Sequence, residues 1–424
     1  MEAIEQAAEE AEQIINRRAA TNSELQKTLL IVRRYLEDEK VLAYGGTAIN
    51  NLLPDEDRFY DPDLDIPDYD FFSKNPQRDA MRLADRLDHA GITRVEVRPG
   101  IHLGTFKVFA NYTGVADITY LDEDIFDKLW SENVEKDGIH YVSPDFLRMS
   151  IYLELSRPRG DVGRWKKVYT RLLLLNKHYP IVCPEHKEDD PALLEKTAPI
   201  AKYLATHKVV LMGLHASQLH TERKTAGWEL PVDILVGQDV RERASQDLAK
   251  LLKAEIHDQP AVGEILPPHT DLRKKGRLLA RIYENNGCHS YHKMKGGLRV
   301  ASIPTILHFF FASLYADDHT RKDLDPKRLI CVAQQLVDVA HGEKGERRYD
   351  LLTPVDCLGW QETLIDVRNH TAETYETLSK KGKTDPDFLR YFFTYSPRMT
   401  TKTQKQKLKD GLRKTYRKRR TERN

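Results

Sequence analysis

Cysteine is scarce in this chain of 424 residues, and the few cysteines stand far apart. They form no CxxC pair, a spacing that predicts neither a disulfide framework nor a zinc knuckle and favours a reducing compartment. The sixteen histidines contain no HExxH or HxH cluster, so the sequence does not indicate a zinc enzyme. The cysteines are Cys183, Cys288, Cys331 and Cys357.

Long apolar runs are also missing. No stretch of about eighteen apolar residues is available for a membrane helix. The acidic, helix-prone residues 1–12 lack both the basic and the apolar region of a signal peptide. These features predict a soluble, cytosolic protein without a membrane partner, long enough for two or three domains.

The chain as a whole has almost no net charge, but its C-terminal segment is strongly basic. The formal net charge is +1, yet residues 398–424 carry twelve Lys or Arg and two acidic residues, a net charge of +10. Such a segment is predicted to be a disordered tail, residues 396–424, that holds nucleic acid by neutralising phosphates. A localisation signal within 414–420 or a solubility tail would have the same composition. The candidate RNA-binding residues are Lys414, Arg417, Lys418, Arg419 and Arg420.

The chain does contain an ordered set of glycines and carboxylates. Residues 44–50 read YGGTAIN, a glycine turn after an apolar run, and residues 66–73 read IPDYDFFS. Residues two apart on a strand face the same side, so Asp68 and Asp70 would stand together while Tyr69 and Phe71 face the opposite layer. Two like charges in an apolar strand require a cation between them, and Mg²⁺ is the simplest choice.

A third carboxylate, Asp117, lies in another β-prone run, VADITY at 115–120. A neighbouring strand would bring it to the same pair, and two metal ions need about three carboxylates besides substrate phosphates. Glycines 45 and 46 would let backbone N–H groups approach a phosphate, and Thr47 would add a hydroxyl at a helix start. Each motif alone also fits a turn, a cap or a solvated face; the ordered set indicates phosphoryl or nucleotidyl transfer.

A competing DxD pair, Asp63 and Asp65, comes just before this strand. It lies between two prolines in a segment that cannot pair fully. We therefore prefer Asp68 and Asp70 as the carboxylate pair and interpret the acidic cluster 61–65 as a solvated loop, with tuning of the metal site or an edge of the active site as the alternative.

This order of motifs resembles the nucleotidyltransferase superfamily, and more closely the poly(A) polymerase catalytic subunits of nucleocytoplasmic large DNA viruses of the mimivirus kind. The resemblance covers roughly residues 40–310. It rests on residues 44–54, 66–73, 115–122, 141–176 and 299–310, which read YGGTAINNLLP, IPDYDFFS, VADITYLD, YVSPDFLRMSIYLELSRPRGDVGRWKKVYTRLLLLN and RVASIPTILHFF.

The resemblance implies the roles of these residues. Asp68, Asp70 and Asp117 would be catalytic residues that hold two Mg²⁺ or Mn²⁺ ions. ATP would be the substrate and an RNA 3′ end the acceptor. A homodimer, partners in viral transcription or capping, and a location in the host cytoplasm, in the viral factory and in the virion are implied as well. The nucleotide-binding residues would include Gly45, Gly46, Thr47 and Ser73.

Basic residues at 148–171 form a second group, interleaved with Trp165 and Tyr169. A nucleotidyltransferase needs cations opposite its metal ions to hold a triphosphate. We select Arg157, Arg164 and Lys167, because the two arginines bracket a turn and Lys167 follows Arg164 by three residues. Ordinary surface ion pairs, for example with Glu154, are the alternative.

The resemblance implies the α/β (α+β) nucleotidyltransferase fold, a polymerase-beta-like mixed sheet with flanking helices, followed by a degenerate second copy without a GG and DxD set. Helical spacing predicts helices at 2–20 and 23–38, and strands are expected at 67–73, 93–98, 105–110 and 115–120. Helices at 143–158 and 161–178 are expected behind this sheet, and a further helix at 270–286. The predicted domains are N-terminal helices at 1–43, a catalytic domain at 44–190, a non-catalytic domain at 191–395 and the tail at 396–424.

The function that this reading favours is template-independent addition of AMP from ATP to RNA 3′ ends. Two alternatives stay open. A generic nucleotidyltransferase that modifies a small molecule, a protein or tRNA would share the glycine turn and the DxD pair. An inactive RNA-binding subunit would lack at least one carboxylate, and none is missing here.

Overall fold

The structure is a computed structural model of the chain and describes residues 2–61, 65–184, 193–194, 197–221, 227–316, 322–341 and 354–421. The chain divides into two compact units. The first comprises Met1–Ser143 and Leu364–Asn424, and the second comprises Pro144–Thr363. Each unit contains one sheet with flanking helices, which confirms the predicted α/β class.

The first unit begins with two helices and continues into a mixed sheet. Its elements up to residue 141 are α1 (Glu2–Ala20), α2 (Ser23–Asp38), β1 (Leu42–Tyr44), α3 (Gly45–Leu52), β2 (Tyr69–Ser73), α4 (Pro76–His89), β3 (Glu96–Pro99), β4 (Thr105–Ala110), β5 (Thr113–Tyr120), α5 (Glu123–Ser131), β6 (Val134–Lys136) and β7 (Ile139–Tyr141). The strand order is β3-β4-β5-β2-β1-β7-β6, with β2 parallel to β5 and antiparallel to β1.

The core of this unit lies on one face of the sheet because side chains alternate along each strand. On β4, Phe106 and Val108 are fully buried while Lys107 between them is partly exposed. On β2, Phe71 is fully buried and its ring lies 6.1 Å from that of Tyr35 on α2. The polar residues on the other face of these strands are therefore available for chemistry.

The second unit repeats this plan. Its elements are α6 (Pro144–Leu155), α7 (Trp165–His178), α8 (Ala198–Thr206), β8 (Val209–Met212), α9 (Gly213–His220), β9 (Val232–Val236), α10 (Arg241–Leu252), β10 (Glu255–Gln259), β11 (His269–Lys274), β12 (Arg277–Glu284), β13 (His289–Lys293), β14 (Arg299–Ala301), α11 (Ile303–Leu314), α12 (Pro326–His341) and β15 (Cys357–Leu358). The strand order is β10-β11-β12-β9-β8-β14-β13-β15, which apart from the added β15 is the order of the first sheet. The parallel pairs also correspond, with β9 beside β12 and β8 beside β14.

The helix predicted at 270–286 is wrong, because these residues form most of the hairpin β11–β12. Lys275 and Gly276 connect the strands with φ of 51° and 77°, the geometry of a two-residue hairpin turn. The Leu- and Arg-rich composition favours a helix locally. Strand alternation prevails because it buries Leu278, Ala280 and Ile282 in the core.

The predicted domain boundaries also require correction. Helices α6 and α7, expected behind the first sheet, belong to the second unit. There α6 packs on α11, with the rings of Tyr152 and Phe311 stacked at 6.2 Å. The linker predicted at 180–197 falls largely on residues outside the described ranges.

The C-terminal part of the chain belongs to the first unit rather than to a second domain and a disordered tail. It forms α13 (Leu364–Ser379), α14 (Pro386–Phe392) and α15 (Lys402–Thr421). Tyr395 and Val97 of β3 exchange two backbone hydrogen bonds of 2.7 and 3.1 Å. Gln77 on α4 donates to the carbonyl oxygen of Leu389 at 3.1 Å.

The prediction of a disordered tail is wrong for residues 402–421, because one side of α15 is buried. The number of charged residues in this segment gave no indication of that buried side. Leu412 and Thr415 are each 2% exposed, and the Thr415 hydroxyl donates to the carbonyl oxygen of Pro386 at 3.0 Å. Some of the positive charges of α15 form ion pairs within the first unit. For example, Lys405 pairs with Asp85 at 2.6 Å.

Two disulfides in the second unit contradict the prediction that the cysteines form no disulfide framework. They join Cys183 to Cys331 and Cys288 to Cys357. The partners are 148 and 69 residues apart in sequence. Such pairing depends on the fold, here on β15 lying beside β13, and spacing alone does not reveal it.

Within the described ranges, none of the helices combines the length and apolar character needed to span a bilayer.

Candidate active site

A glycine turn between β1 and α3 places the helix start against a carboxylate. Gly45 has φ of 77°, a conformation that glycine adopts without strain. A Cβ at this position would lie 2.6 Å from Oδ2 of Asp70. The turn and the DxD motif, which are separated in sequence, therefore belong to one site.

Three carboxylates meet beside this turn. Asp70 on β2 is the direct partner of Asp117 on the parallel strand β5. Asp68 lies just before β2, and the charge of Asp117 acts on it. The structure thus brings together the three aspartates that the sequence singled out.

Lys107 is a member of this cluster that sequence reasoning missed. It lies on β4 directly opposite Asp117, and its ammonium forms an ion pair with Oδ2 of that residue. The signal was the alternation of β4, which places Lys107 on the face away from buried Phe106 and Val108.

Partial desolvation and a neighbouring like charge determine the electrostatics of the Asp68 carboxylate. Desolvation, with repulsion from Asp117 as a further cause, raises the pKa of Asp68, and the Lys107 ammonium opposes this rise. Much of the Asp68 residue is nevertheless exposed to solvent. We interpret its carboxylate as desolvated on one side and open to solvent on the other.

The donor chemistry fits a hard divalent cation such as Mg²⁺ or Mn²⁺, which prefers carboxylate oxygens. In the part of the chain that the structure describes, no group of three or more His, Cys, Asp or Glu side chains is already placed to hold a metal ion. The Asp117 carboxylate is instead engaged by Lys107. Desolvation, and after it repulsion from Asp117, raises the pKa of Asp68, and a bound cation would oppose both effects by stabilising the charged carboxylate.

Thr47 and Ser73 have structural partners. The Thr47 hydroxyl donates to the carbonyl oxygen of Asp68 at 2.7 Å, so it positions the carboxylate segment. Ser73 is 1% exposed and lies on the face of β2 opposite Asp70. Its hydroxyl donates to Asp79 and accepts from the N–H of Asn75. This corrects its assignment to nucleotide binding, because the group is used inside the core.

The competing acidic cluster forms a local turn where it is described. Asp65 accepts a hydrogen bond from the N–H of Asp61 at 2.8 Å through Oδ2. Asp63 lies outside the described residues.

The three basic residues selected from the helix pair lie in the second unit, whereas the carboxylates lie in the first. Arg164 forms the anticipated ion pair with Glu154 at 3.3 Å, and Lys167 is exposed on α7. Arg157 differs from both. Its nearest polar partner is Oδ1 of Asn286 at 3.5 Å, and its buried Nε has no hydrogen-bond partner.

Burial lowers the pKa of Arg157 to about 10, so the guanidinium stays charged. The neighbouring imidazoles do not compensate it. Burial and the charge of Arg157 lower the pKa of His308 to about 3 and hold that of His289 far below its usual value. No carboxylate among the described residues pairs with Arg157, which makes it a suitable partner for an anion.

The basic residues of the tail are carried by α15. Lys414 and Arg417 are exposed, while Lys418 forms an ion pair with Asp387. Arg419 and Arg420 lie within α15, but their side chains are outside the described set.

The second unit carries a counterpart of the carboxylate site with the charges exchanged. Gly213 follows β8 with φ of 72°, as Gly45 follows β1, and it abuts Asp233 as Gly45 abuts Asp70. The position of Asp117 is taken by Arg281, the partner of Asp233 on β12. Asp271 lies opposite Arg281, where the first unit has Lys107 opposite Asp117.

This second constellation is closed. Arg281 and Asp271 are both fully buried, and the guanidinium Nε donates to Oδ1 of Asp271 at 2.7 Å. Burial raises the pKa of Asp233 to about 7, although Arg281 opposes this rise. A fixed guanidinium thus occupies the cationic position between these two carboxylates.

Comparison with known proteins places the glycine turn and the three carboxylates within one matched segment. Residues 30–161 match the family of the poly(A) polymerase catalytic subunit. A candidate poly(A) polymerase catalytic subunit of African swine fever virus (isolate Pig/Kenya/KEN-50/1950) is 33% identical over 174 residues, 40% of this chain and 36% of the relative. One of Acanthamoeba polyphaga mimivirus is 29% identical over 182 residues, 42% of this chain and 30% of the relative. The matched segment therefore spans about a third of these relatives.

The fold comparison extends over nearly the whole chain. The crystal structure of the Megavirus polyadenylate synthase matches with a TM-score of 0.77 at 20% sequence identity and covers 97% of this chain and 89% of that chain. Residues 30–161 of the chain thus match the poly(A) polymerase catalytic subunit family, and the chain resembles the Megavirus polyadenylate synthase in fold.

Proposed function

We propose that this chain is a template-independent polynucleotide adenylyltransferase that adds AMP from ATP to the 3′ end of RNA. The observation that carries the proposal is the register of β1, β2 and β5. It sets Asp70 beside Asp117 and against the Gly45 turn. This arrangement lies inside the segment that matches the poly(A) polymerase family.

The carboxylates would hold the metal ions. Asp68, Asp70 and Asp117 supply the oxygen donors for two Mg²⁺ or Mn²⁺ ions. Bound ions supply charge neutralisation at the phosphates and a lowered pKa for the attacking hydroxyl. The chain itself orients these groups, through the Thr47 hydrogen bond to the backbone of Asp68 and the Lys107 ion pair with Asp117.

The anionic substrate is bound by fixed donors. The backbone of Gly45 and Gly46 at the start of α3 would face the triphosphate, since no side chain intervenes at this turn. Within the second unit, the charged but carboxylate-free Arg157 is the strongest of the three basic candidates for contact with an anion. Arg164 would first have to exchange its partner Glu154.

The second unit would serve in binding rather than catalysis, because Arg281 replaces the carboxylate that a metal site needs. RNA and ATP would be the principal ligands. The description of the relatives as catalytic subunits supports a partner subunit, and a homodimer is a second form of assembly to test. Since the relatives are viral proteins, the host cytoplasm, including the viral factory, and the virion are the proposed locations. Two disulfides are unusual there.

The test is extension of a labelled single-stranded RNA primer with each nucleotide separately, in Mg²⁺ or Mn²⁺. Wild type should extend the primer with ATP. Asp70→Asn should lose roughly 10²-fold or more of the rate while its thermal unfolding midpoint is kept. Asp65→Asn, which changes the competing acidic loop, is the matched control and should extend normally.

A wild-type rate for Asp70→Asn would refute the site assignment. No extension by wild type with any nucleotide would shift the assignment to a small-molecule, protein or tRNA acceptor, or to an inactive RNA-binding subunit.

A further inference from the structure

A pocket of about 390 Å³ lies in the first unit among the C-terminal helices α13, α14 and α15, and no role has been assigned to it so far. Its inner wall contains Tyr375, Phe388 and Phe392. The three rings form a cluster, with centroid distances of 5.6, 5.2 and 5.5 Å. The wall is therefore rigid and aromatic.

Part of this aromatic and apolar surface is open to solvent. Tyr375 is 42% exposed and Met399, on the rim, is 82% exposed. Phe388 and Phe392 are at most 5% exposed and support the tyrosine from below. An exposed tyrosine on a fixed aromatic base is a platform for a flat ring.

The rim is positively charged and carries uncommitted lysines. Lys383 and Lys407 line the pocket, and no Asp or Glu is among its described lining residues. Neither lysine has a salt-bridge partner among the described residues. Neighbouring lysines do have one: Lys381 pairs with Asp387 and Lys405 pairs with Asp85.

Two properties of the surroundings indicate the kind of ligand. Thr394, Thr400 and Gln404 add neutral polar groups to the wall. The pocket also opens beside α15, whose other exposed cations include Lys402, Lys409 and Lys414. A positively charged track beside an aromatic platform is the recognition surface of single-stranded nucleic acid, in which phosphates meet the cations and a base stacks on the ring.

We propose that this pocket binds a nucleotide of single-stranded RNA, with the base against Tyr375 and Met399 and its flanking phosphates at Lys383 and Lys407. The inference rests on the proposed function in that RNA is the acceptor there. It adds an RNA-holding site outside the carboxylate cluster. Stacking on the tyrosine and charge pairing with the lysines use groups that all nucleotides share, so we expect binding to be largely tolerant of sequence.

The test uses the full chain and a short fluorescein-labelled oligo(U) RNA with a blocked 3′ end, titrated by anisotropy in EDTA so that catalysis plays no part. Tyr375→Leu should weaken binding about tenfold, because a stacked base contributes roughly 1–3 kcal/mol. Tyr391→Leu makes the same change on the same helix bundle outside the pocket and should bind as wild type. Thermal unfolding of both variants checks that the aromatic cluster still folds.

Lys383→Gln combined with Lys407→Gln provides the second measurement. For two lost phosphate contacts the slope of log K against log salt should decrease by about 1.4. Lys202→Gln with Lys208→Gln removes the same charge from exposed positions of the second unit, outside both the pocket lining and α15, and should change affinity less.

Equal losses of affinity in the two lysine double variants, or unchanged RNA binding by Tyr375→Leu, would refute RNA binding at this pocket. The pocket would then be a candidate site for a protein partner. The proposed function is judged separately by primer extension with wild type. Extension by wild type together with unchanged binding by the pocket variants refutes the pocket alone. Pocket-dependent binding without extension refutes the enzyme alone.

Discussion

Among single residues, the glycine at the β1–α3 turn has two separable properties. Gly45 has a positive φ, and an added Cβ would meet the Asp70 carboxylate. Gly91 shares only the first property, with φ of 86° and nothing within 4 Å of an added Cβ. The pair therefore separates backbone strain from displacement of the carboxylate.

We expect Gly45→Ala and Gly91→Ala each to lower the free energy of unfolding by about 1–2 kcal/mol, the cost of a left-handed alanine. Only Gly45→Ala should reduce adenylyl transfer, by about 10²-fold, because the carboxylate must move. Urea unfolding and primer extension measure the two effects. Equal activity in the two variants would show that the contact with Asp70 has no catalytic consequence.

Asp233 provides a prediction about pH. Its pKa is raised by burial to about 7 in the folded state, so the folded chain binds this proton more tightly than the unfolded chain does. The stabilisation is complete below the unfolded value near 3.8 and is lost as pH rises through about 7, at up to about 1.4 kcal/mol per pH unit.

Asp233→Asn removes this loss. Relative to wild type, the variant should gain about 2–3 kcal/mol in unfolding free energy between about pH 5 and pH 7. Urea unfolding of both proteins at a series of pH values measures this. A constant difference across the series would mean that Asp233 does not titrate in this range.

At the scale of elements, the alternation of strands made the carboxylate site predictable. Asp68 and Asp70 are two residues apart, and the second acidic run supplied Asp117, so a shared face followed from the period of two. Sequence reasoning did not select Lys107, because a lone lysine among alternating apolar residues is common in any half-exposed strand. Only the pairing of β4 with β5 gives it a partner.

Other elements could not be predicted because their stability comes from distant partners. The β11–β12 hairpin has helix-favouring composition, and its strand state depends on pairing with β9. Helix α15 is basic enough to be disordered alone, yet Leu412 is buried and Lys405 pairs with Asp85 at 2.6 Å. Asp85 lies 320 residues earlier in the sequence, on another helix.

We expect Leu412→Ala to lower the unfolding free energy of the first unit by about 2–5 kcal/mol, as truncation of a buried leucine does. A disordered tail would show no change. Lys414→Ala, an exposed position on the same helix, should stay within about 0.5 kcal/mol of wild type. Chemical denaturation followed by circular dichroism measures both variants.

At the scale of the whole molecule, the chain contains two sheets of the same strand order in which one cross-strand pair has exchanged its charges, Lys107 and Asp117 in the first and Asp271 and Arg281 in the second. The first leaves three carboxylates facing a lysine at its site, and the second encloses a guanidinium between two carboxylates. The same framework therefore presents an open anionic site in one unit and a closed ion pair in the other.

The disulfides are confined to one of these units, and this yields a prediction. In the chain-entropy description, bridges across 148 and 69 residues stabilise by about 4–5 kcal/mol each. A reducing agent should therefore lower the unfolding transition of the second unit and leave that of the first in place, as calorimetry would show. Replacing Cys288 and Cys357 by Ser should reproduce part of the shift. A uniform shift of both transitions would contradict this expectation.

The return of the C-terminal helices to the first unit has a consequence for how the protein is made. Residues 364–421 are synthesised after the second unit, although they complete the first. Domains generally fold as units while the chain emerges, so the middle of the chain can reach its native state before the unit that carries the aspartates. A nascent chain interrupted anywhere before residue 412 would lack the α15 leucine that seals the first unit. Folding of the first unit therefore depends on prior synthesis of α15, and a nascent chain without this helix leaves apolar surface of that unit uncovered.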